Sequence, residues 1–425
     1  MKVTYFVNAM LLFEGNSNRI LCDPWITFNE SSRSGLYNFP PTNLSRDDVR
    51  AIRPDYVYIS HTHADHFDPE TLELLDKETR FIVAQFKNNF TERNLRKMGF
   101  KGVEVVDPVN GLQLTGDDHV WIQPSATYPE VDSVAGFRID GCTIFNANDN
   151  PHHEEQSLEF RKMMGSIDLC CVPFAFQGPY PAFYENLSDE EKAHEASKKR
   201  WRGYAHVANY ARDLSPKWLL AFAAGALYGG SKAKLHPFYG VGTAREAVLV
   251  ARQTAEFEPV FMSEGMSLEL PSGRVIGNYK ERDHATESAY IERVSQSAGP
   301  FDAGGSFWIG PRDRIDLTPL LTSARRRQDE WATRTGRWTN MSFYIDVGAN
   351  ELYRMRLGDP LVSRVAEAKI TDPAYEIFRV PYPLMVGLLT RHFNWSNVKT
   401  QFVSFYRKPN VFDADLHILM SYLQV

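Results

Sequence analysis

The chain has 425 residues, of which 43% are hydrophobic and 24% charged, a balance typical of a globular protein with a packed core. Its 47 basic and 53 acidic residues give a net charge of −6, which argues against a nucleic-acid or membrane-surface binder. No apolar run is long enough to span a membrane and 4 cysteines are too few for a disulfide scaffold, so we expect a cytoplasmic protein with reduced, buried thiols.

Strand and helix patterns alternate over about the first 270 residues. Two apolar segments, VTYFVNAMLLFEG (3–15) and NRILCDPWI (18–26), flank a Gly-Asn-Ser-Asn turn and predict a β-hairpin. The strand DYVYIS (55–60) follows, and further short strands come after it. A long polar helix (188–214) precedes the strand KWLLAFAAG (217–225). This alternation predicts an α/β layered fold.

The composition changes in the last third of the chain. The stretch SQSAGPFDAGGSFWIGPRDR (295–314) is rich in Gly, Pro and Ser and predicts a connector. An Arg-rich helix, three strand-like runs and two helix-like segments follow it. We therefore predict a catalytic domain over residues 1–285, a connector and helix over 286–330, and a small α+β unit over 331–425.

The stretch ISHTHADHF (59–67) concentrates metal-binding side chains. His61, His63, Asp65 and His66 lie within six positions, on the turn between a strand and a helix. Imidazole nitrogen and carboxylate oxygen are ligands for zinc or iron, and no thiolate is present to favour a purely structural zinc site. The two outer pairs can point at two different ions, so the stretch predicts a dinuclear metal site.

The run HTHADH (61–66) resembles the signature of the metallo-β-lactamase fold superfamily. The run ILCDPW (20–25) is similar to the Asp-Pro turn of its lactonase and phosphodiesterase branches. The resemblance implies an α/β fold, an αββα sandwich with a dinuclear site at one edge of two sheets, beside the smaller C-terminal α+β unit. In that pattern the first two histidines serve one metal and Asp65 and His66 the other. A bridging carboxylate and a final histidine are expected after later strands, where this chain has Asp149 and His236.

One ligand of that pattern is missing. The superfamily has a histidine before the bridging carboxylate, where this chain has Tyr128 in IQPSATYPEVDS. Glu130 and Asp132 lie nearby, and we predict that Glu130 replaces the histidine because it has the better reach. The ligand set is then richer in oxygen than a typical zinc hydrolase site. This shift favours two iron ions, with zinc or manganese as alternatives.

Several later stretches resemble the catalytic part of the cytidine-monophosphate N-acetylneuraminic acid hydroxylases. They are YPEVDSVAGFRIDGCTIFNANDNP, VPFAFQGPYPAFYENLSDEEK, LSPKWLLAFAAGALYGGSKAKLHP and the C-terminal NVFDADLHILMSYLQV. The resemblance implies a di-iron hydroxylase that uses O₂ as co-substrate on a polar metabolite, such as a sugar, nucleotide or amino-acid derivative. That family also carries a Rieske module, which needs Cys-x-His and Cys-x-x-His pairs. No cysteine here lies two or three residues from a histidine. We therefore expect no intrinsic Fe–S cluster, and electrons from an external donor protein or from the substrate.

Further candidates surround this predicted centre. Asp65 would orient a nucleophile, and Tyr128 would mark an open coordination position. The pair His152 and His153 predicts either proton transfer or a solvated turn. The aromatic run FAFQGPYPAFY (174–184) predicts a pocket wall, and the basic run SKKRWRGY (197–204) predicts either an anion clamp or a solvated helix face. The substrate-binding candidates are Lys199, Arg200, Tyr180, Tyr184 and Tyr228. Structural roles are assumed for His119, His194, His206, His284, His392 and His417.

Two other functions stay open at this point. A dinuclear zinc or manganese hydrolase would attack a phosphodiester, lactone or amide with a bridging hydroxide. A relative that keeps the fold but binds no metal is the third possibility, and the intact histidine run argues against it. In each case the expected partner is a small molecule and not a nucleic acid or a membrane.

Overall fold

The computed structural model describes residues 1–28, 35–176, 178–280, 283–296, 314–348, 352–391 and 402–423. Most of the predicted connector, residues 297–313, lies outside the described residues. No described helix combines the length and the apolar composition that crossing a bilayer requires. The four cysteines are buried and form no disulfide.

The described strands and helices alternate along the chain. The strands are β1 (Lys2–Tyr5), β2 (Leu11–Glu14), β3 (Arg19–Cys22), β4 (Leu36–Asn38), β5 (Tyr56–Ile59), β6 (Arg80–Ala84), β7 (Val103–Val106), β8 (Leu112–Gln113), β9 (His119–Pro124), β10 (Ser133–Ile139), β11 (Cys142–Asn146), β12 (Leu169–Pro173), β13 (Trp218–Phe222), β14 (Ala226–Tyr228), β15 (Glu258–Val260), β16 (Ser267–Glu269), β17 (Arg274–Ile276), β18 (Ser342–Asp346), β19 (Leu352–Met355), β20 (Ser363–Val365), β21 (Tyr375–Arg379) and β22 (Ser404–Lys408). The α-helices are α1 (Arg46–Ile52), α2 (Pro69–Leu72), α3 (Phe90–Lys97), α4 (Glu154–Met164), α5 (Asp189–Leu214), α6 (Ala244–Ala251), α7 (His284–Ser295), α8 (Thr318–Thr335), α9 (Tyr382–Leu389) and α10 (Ala414–Ser421). Two 3₁₀ helices span Gly230–Phe238 and Glu367–Lys369.

Two large sheets form the N-terminal part of the molecule. The first has the order β17-β16-β1-β2-β3-β5-β6-β7, and the second has the order β15-β13-β12-β11-β10-β9-β8. Strands β3, β5, β6 and β7 run parallel, as do β11, β12, β13 and β15. Parallel strands need cover on both faces, which explains why every residue of β5 and β12 is buried.

The hairpin predicted near the N-terminus is present, with one difference. Strands β2 and β3 pair antiparallel, as the turn predicts. The segment before the turn is not one strand, because Asn8 adopts a left-handed conformation with φ 50°. A tight turn between Phe6 and Met10 then separates β1 from β2. Asn8 also contacts the functional site described below.

The two sheets pack face to face, with helices on both outer faces. Inner-face side chains of both sheets share one core, in which the rings of Phe13 and Phe137 meet edge to face at 5.1 Å. Helices α1, α2 and α3 cover the first sheet, and α4, α5 and α6 cover the second. Together these layers form the predicted αββα sandwich.

The C-terminal part is a mixed five-stranded sheet with the order β20-β19-β18-β21-β22, accompanied by α8, α9 and α10. Its core includes residues from the N-terminal part, among them Trp25, Leu36 and Phe183. The predicted smaller α+β unit is therefore present and packs directly on the sandwich. The boundaries at residues 285 and 330 stay predictions.

A buried ion pair joins this unit to the aromatic run 174–184. Arg407 Nη2 lies 2.5 Å from Glu376 Oε2, and both side chains are almost fully buried. Tyr184 donates a hydrogen bond to the same carboxylate over 2.7 Å. We expect Glu376→Gln to lower the free energy of unfolding by about 3–5 kcal/mol, because a buried guanidinium loses its counter-charge. Urea unfolding measures this cost, and a Glu376→Gln/Arg407→Met double variant should recover part of it. Equal stability of the single variant and the wild type would contradict the prediction.

Candidate metal centre

The histidine run forms one tight turn after β5. The backbone N–H groups of His66 and Phe67 both donate to the carbonyl oxygen of His63, over 3.0 and 2.7 Å. Asp68 then caps α2, which has a proline at its first position. Because the turn is held at both ends, three imidazoles are presented together at the edge of the sheet.

One group of ligand atoms is formed by His61, His63 and Asp149. Nitrogen and oxygen atoms of these three side chains all lie within 4.8 Å of one another. His61 Nε2 is 2.8 Å from His63 Nδ1 and 3.9 Å from Asp149 Oδ2. Ligands that bind a metal at about 2.0–2.2 Å are separated from each other by comparable distances. This group therefore has the spacing of a metal site.

A second group shares Asp149 with the first. His66 Nε2 lies 3.6 Å from Asp149 Oδ2 and 3.8 Å from Asp65 Oδ2. The other oxygen of Asp149, Oδ1, is buried and has no hydrogen-bond partner among the residues that the structure describes. Asp149 thus stands between the two groups, where a bridging carboxylate is expected.

Asp23 and Asp132 orient the histidines from behind. His66 Nδ1 is 2.8 Å from Asp23 Oδ2, and His61 Nδ1 is 3.3 Å from Asp132 Oδ1. Ser60 reinforces the arrangement by donating its hydroxyl and its backbone N–H to Asp23, each over 2.7 Å. Carboxylates that bind one ring nitrogen in this way fix the ring so that the other nitrogen faces the metal. Asp23 had no role assigned from the sequence, although it directly follows β3, which pairs with β5.

The pKa shifts of the cluster follow from several carboxylates buried close together. Burial raises the pKa of Asp132 well above its ordinary value, and the nearby Asp149 raises it further. Burial also raises the pKa of Asp149, but His61 and His66 outweigh this effect and hold it well below the usual range. For His66, burial lowers the pKa, yet three carboxylates led by Asp149 raise it well above normal. Without a metal, the cluster therefore retains protons that bound cations would displace.

These observations fit a pair of metal ions. The donors are nitrogen and oxygen atoms, one group of three converges within 4.8 Å, His66 and Asp65 lie beside the same Asp149, and one buried carboxylate oxygen has no protein partner in the described chain. Two carboxylates, those of Asp65 and Asp149, accompany three imidazoles as possible ligands, and Asp23 and Asp132 add two carboxylates behind the histidines. The side chains that form it are Asp23, His61, His63, Asp65, His66, Asp132 and Asp149.

Glu130 points away from this cluster. Its Oε1 accepts a hydrogen bond from Arg334 of α8 over 2.8 Å, and the residue does not line the cavity. The turn that ends in Asp132 explains the difference, because the carbonyl oxygen of Tyr128 accepts hydrogen bonds from both Val131 and Asp132. This turn directs Asp132 to the histidines. The predicted replacement of a histidine by Glu130 is thus not seen, and the carboxylate that reaches the histidines is that of Asp132, which contacts His61 Nδ1.

His236 also lies apart from the cavity. It sits in the 3₁₀ helix Gly230–Phe238, where its ring packs 4.4 Å from the ring of Phe39 and 5.6 Å from that of Tyr239. The segment directly after β13, residues 223–225, lines the cavity and contains no histidine. The structure therefore does not bring the predicted final histidine to the cluster.

The cluster opens into a cavity of about 420 Å³, a volume that suits a small metabolite. Asn8 lines the cavity from the sandwich and forms hydrogen bonds with the backbone of both Asp65 and Gly225. The C-terminal unit closes one side of the cavity. Its contributions include Arg337, Phe405, Phe412 and His417.

The predicted substrate-binding residues divide into two groups. Tyr180, Tyr228 and Lys199 line the cavity, and their role in substrate binding stays a prediction. Tyr184 does not, because its hydroxyl is committed to the buried Glu376. Arg200 does not line the cavity. It lies on another face of α5 and packs beside Gly242, since a Cβ added to that glycine would be 3.0 Å from Arg200 Cδ.

The predicted proton-transfer residues also divide. His152 lines the cavity, and its Nε2 lies 2.6 Å from the carboxylate of Asp213. Burial lowers the pKa of His152, and Asp213 opposes this shift. His153 caps α4 and does not line the cavity. Tyr128 does line it, and burial raises the pKa of its hydroxyl.

His206 and His417 were assigned structural roles from the sequence, yet both line the cavity. His206 Nδ1 accepts a hydrogen bond from the backbone N–H of His152 over 3.0 Å. Its position on α5 carries the signal that could have found it. His206 lies four residues after Arg202 and seven before Asp213, and these spacings place the three side chains on one face of the helix.

We expect His206 to lower the free energy of unfolding as the pH falls below neutral. Burial lowers its pKa to about 4, whereas an unfolded histidine titrates near about 6.5. Between these values the unfolded chain binds a proton that the folded chain excludes, so stability present above pH 6.5 is lost as the pH falls. We expect His206→Gln to reduce the loss between pH 7.5 and pH 5 by about 1–2 kcal/mol in urea unfolding. His194→Gln, at an exposed position on the same helix, is the control. Parallel pH profiles for all three proteins would contradict the prediction.

Residues 2–191 match the family model described as a beta-lactamase superfamily domain. A Mycolicibacterium smegmatis protein named as a Rieske 2Fe-2S iron-sulfur protein is 29% identical over 233 residues, 52% of this chain and 43% of that protein. Cytidine monophosphate-N-acetylneuraminic acid hydroxylase of Danio rerio is 29% identical over 230 residues, 52% of this chain and 37% of that protein. A UPF0173 metal-dependent hydrolase of Staphylococcus carnosus is 25% identical over 187 residues, 41% of this chain and 72% of that protein. The matched stretch thus spans less than half of the first two relatives.

Proposed function

We propose that this chain, whose residues 2–191 match the family model described as a beta-lactamase superfamily domain, is an O₂-dependent di-iron oxygenase acting on a polar metabolite. The observation that carries the proposal is the donor set, in which the carboxylates of Asp65 and Asp149 accompany three imidazoles, two further carboxylates hold those imidazoles, and no thiolate is present. Hard oxygen ligands favour iron over a typical zinc site, since they stabilise its ferric state. The similarity to a hydroxylase from Danio rerio supports the same class of reaction.

The cluster residues would divide the two ions between them. His61 and His63 would hold one ion, His66 and Asp65 the other, and Asp149 would serve both. Such a pair, when bound, supplies the binding and reduction of O₂.

The protein itself contributes orientation and proton transfer. Asp23 and Asp132 fix the rings of His66 and His61, which preorganises the ligands. The C-terminal unit limits access of water to the cavity, since it forms one wall. His152, which Asp213 holds over 2.6 Å, is the cavity-lining group that would accept or release a proton.

Metal analysis tests the proposal directly. Protein purified without added metal should contain iron near two equivalents per chain, and it should consume O₂ when a reductant and a substrate mixture are supplied. Inductively coupled plasma mass spectrometry and an oxygen electrode give the two readouts. Protein that accumulates zinc and consumes no O₂ after iron loading would contradict the proposal.

The second candidate is a zinc or manganese hydrolase. It is favoured by the similarity to a metal-dependent hydrolase of which this chain covers 72%. The same cluster would then activate a water molecule for attack on a phosphodiester, lactone or amide. Repeated hydrolysis of such substrates under argon, by zinc- or manganese-loaded protein, would support this candidate and overturn the oxygenase.

A further inference from the structure

Helix α5 turns one polar face toward the cavity. Lys199, Arg202 and His206 follow one another at intervals of three and four residues, and all three line the cavity. Gly203 allows the helix to pack closely, since a Cβ there would lie 2.4 Å from the carbonyl oxygen of Phe174. This close contact holds the helical face at a fixed distance from the loop that continues the cavity wall.

Lys199 has a structural task on this face. Its ammonium group donates hydrogen bonds to the carbonyl oxygens of Gly178 and Tyr180, each over 2.8 Å. These bonds tie the aromatic run 174–184 to α5. Lys199 therefore shapes the wall of the cavity, and recognition of a ligand falls to its neighbours on the helix.

Arg202 presents a charge to the cavity that the protein does not neutralise. Its guanidinium lies over the ring of Phe412, 4.6 Å from the ring centroid. It forms no ion pair with any residue in the described part of the chain. By contrast, Arg337 also lines the cavity but lies 3.3 Å from the carboxylate of Asp415. The planar guanidinium of Arg202 matches the two oxygens of a phosphate or carboxylate.

His206 adds a fixed hydrogen-bond donor one helical turn away. Its Nδ1 accepts the backbone N–H of His152 over 3.0 Å, so the neutral ring carries its hydrogen on Nε2. Burial keeps the ring neutral, because it lowers the pKa of His206 to about 4. Within the described residues this Nε2–H group makes no hydrogen bond. It is thus available to an acceptor bound in the cavity.

We propose that Arg202 and His206 bind an oxyanion of the substrate, so that the metal centre acts on an anionic metabolite. Its phosphate or carboxylate group would lie against α5, and its apolar part would contact Phe412 on the C-terminal unit. Arg202 attracts anions, so it orients the ligand with its anionic end on the helix. Because this assignment names the substrate class of the same cavity, it rests on the proposed function.

Binding of simple aromatic probes to the metal-loaded protein tests the assignment. Isothermal titration calorimetry compares phenyl phosphate and benzoate with the uncharged benzyl alcohol. We expect the better of the two anions to bind at least about tenfold more tightly than benzyl alcohol, and Arg202→Gln to remove this preference. His206→Phe should weaken anion binding several-fold. Lys198→Gln is the matched control, because Lys198 is exposed on the same helix and pairs with Glu195.

Each outcome decides for or against the subsite. The anion that binds more tightly identifies phosphate or carboxylate as the recognised group. No binding of either anion, equal binding of benzyl alcohol, or unchanged affinity in Arg202→Gln would overturn the assignment. Anion binding that is lost in Asp149→Ala but kept in Arg202→Gln would place the anion on the metals, and would also overturn it. Iron content and O₂ consumption are measured on the same preparations, so the oxygenase proposal can fail while the anion subsite stands.

Discussion

Asp149→Ala and His66→Ala are each expected to remove at least about one metal equivalent per chain and to abolish activity. Asp149 lies within reach of both histidine groups, since its Oδ2 is 3.9 Å from His61 Nε2 and 3.6 Å from His66 Nε2. Its loss therefore removes the carboxylate that both ions would share. His66 contributes the nitrogen of the second group, which its loss would leave with carboxylates alone. Metal content after gel filtration measures the effect.

Two further variants separate orientation from ligation. Asp23→Asn should keep the metals but weaken their affinity by roughly 10–100-fold, because it disturbs the carboxylate that holds His66 Nδ1 at 2.8 Å. Glu130→Gln is the control, since Glu130 pairs with Arg334 in the structure. Full metal retention in Asp149→Ala would contradict the proposed centre. Metal loss in Glu130→Gln would instead support Glu130 as a metal ligand, as predicted from the sequence.

The part of the site that could be predicted from the sequence is the part that local chain geometry determines. Four ligand candidates within six residues must share one turn, whatever the rest of the fold does. The structure keeps that turn closed by hydrogen bonds to the carbonyl oxygen of His63. Asp149 follows a strand of the other sheet, so its position depends on how two sheets pack. The superfamily resemblance, and not the spacing, supplied that residue.

The residue assignments in which sequence and structure differ depend on tertiary structure. Glu130 and Asp132 are two residues apart, and the turn that begins at Tyr128 decides which one faces the histidines. His236 lies within a 3₁₀ helix whose direction no local pattern shows, so its separation from the cluster could not be predicted. For His206 and Arg202 a local signal did exist, because both lie on the helical face that also holds Lys199.

The fold could be predicted further than the site. Alternation of strand and helix patterns indicates the α/β layers, and the buried runs of β5 and β12 indicate parallel strands covered on both faces. The contact between the C-terminal unit and the cavity could not be predicted in this way. It depends on long-range packing, such as that of Phe183 and Trp25 in the core shared with the C-terminal sheet.

The second prediction concerns the number of turnovers that the protein completes without an external electron donor. Hydroxylation, R–H + O₂ + 2 e⁻ + 2 H⁺ → R–OH + H₂O, needs two electrons that the substrate does not supply. A ferrous pair holds two, and the 425-residue chain has no Cys–His pair with Rieske spacing to replace them. We therefore expect the ferrous protein, given substrate and O₂, to complete about one turnover per site unless a reductant is added. Product per chain, measured by mass spectrometry after rapid mixing with O₂, tests this expectation.

Added reductant should convert this single turnover into continuous product formation, and an Asp149→Ala sample run in parallel should form no product in either case. Continuous turnover needs no reductant if the substrate itself provides all four electrons. The oxidation state of the product would reveal such a four-electron oxidation. The expectation would be contradicted if the protein completed many turnovers without reductant and the product were oxidised by only two electrons relative to the substrate. Repeated hydrolysis by zinc-loaded protein under argon would contradict the oxygenase itself, because that reaction consumes neither O₂ nor electrons. The electron balance thus separates the two candidate functions even before the natural substrate is known.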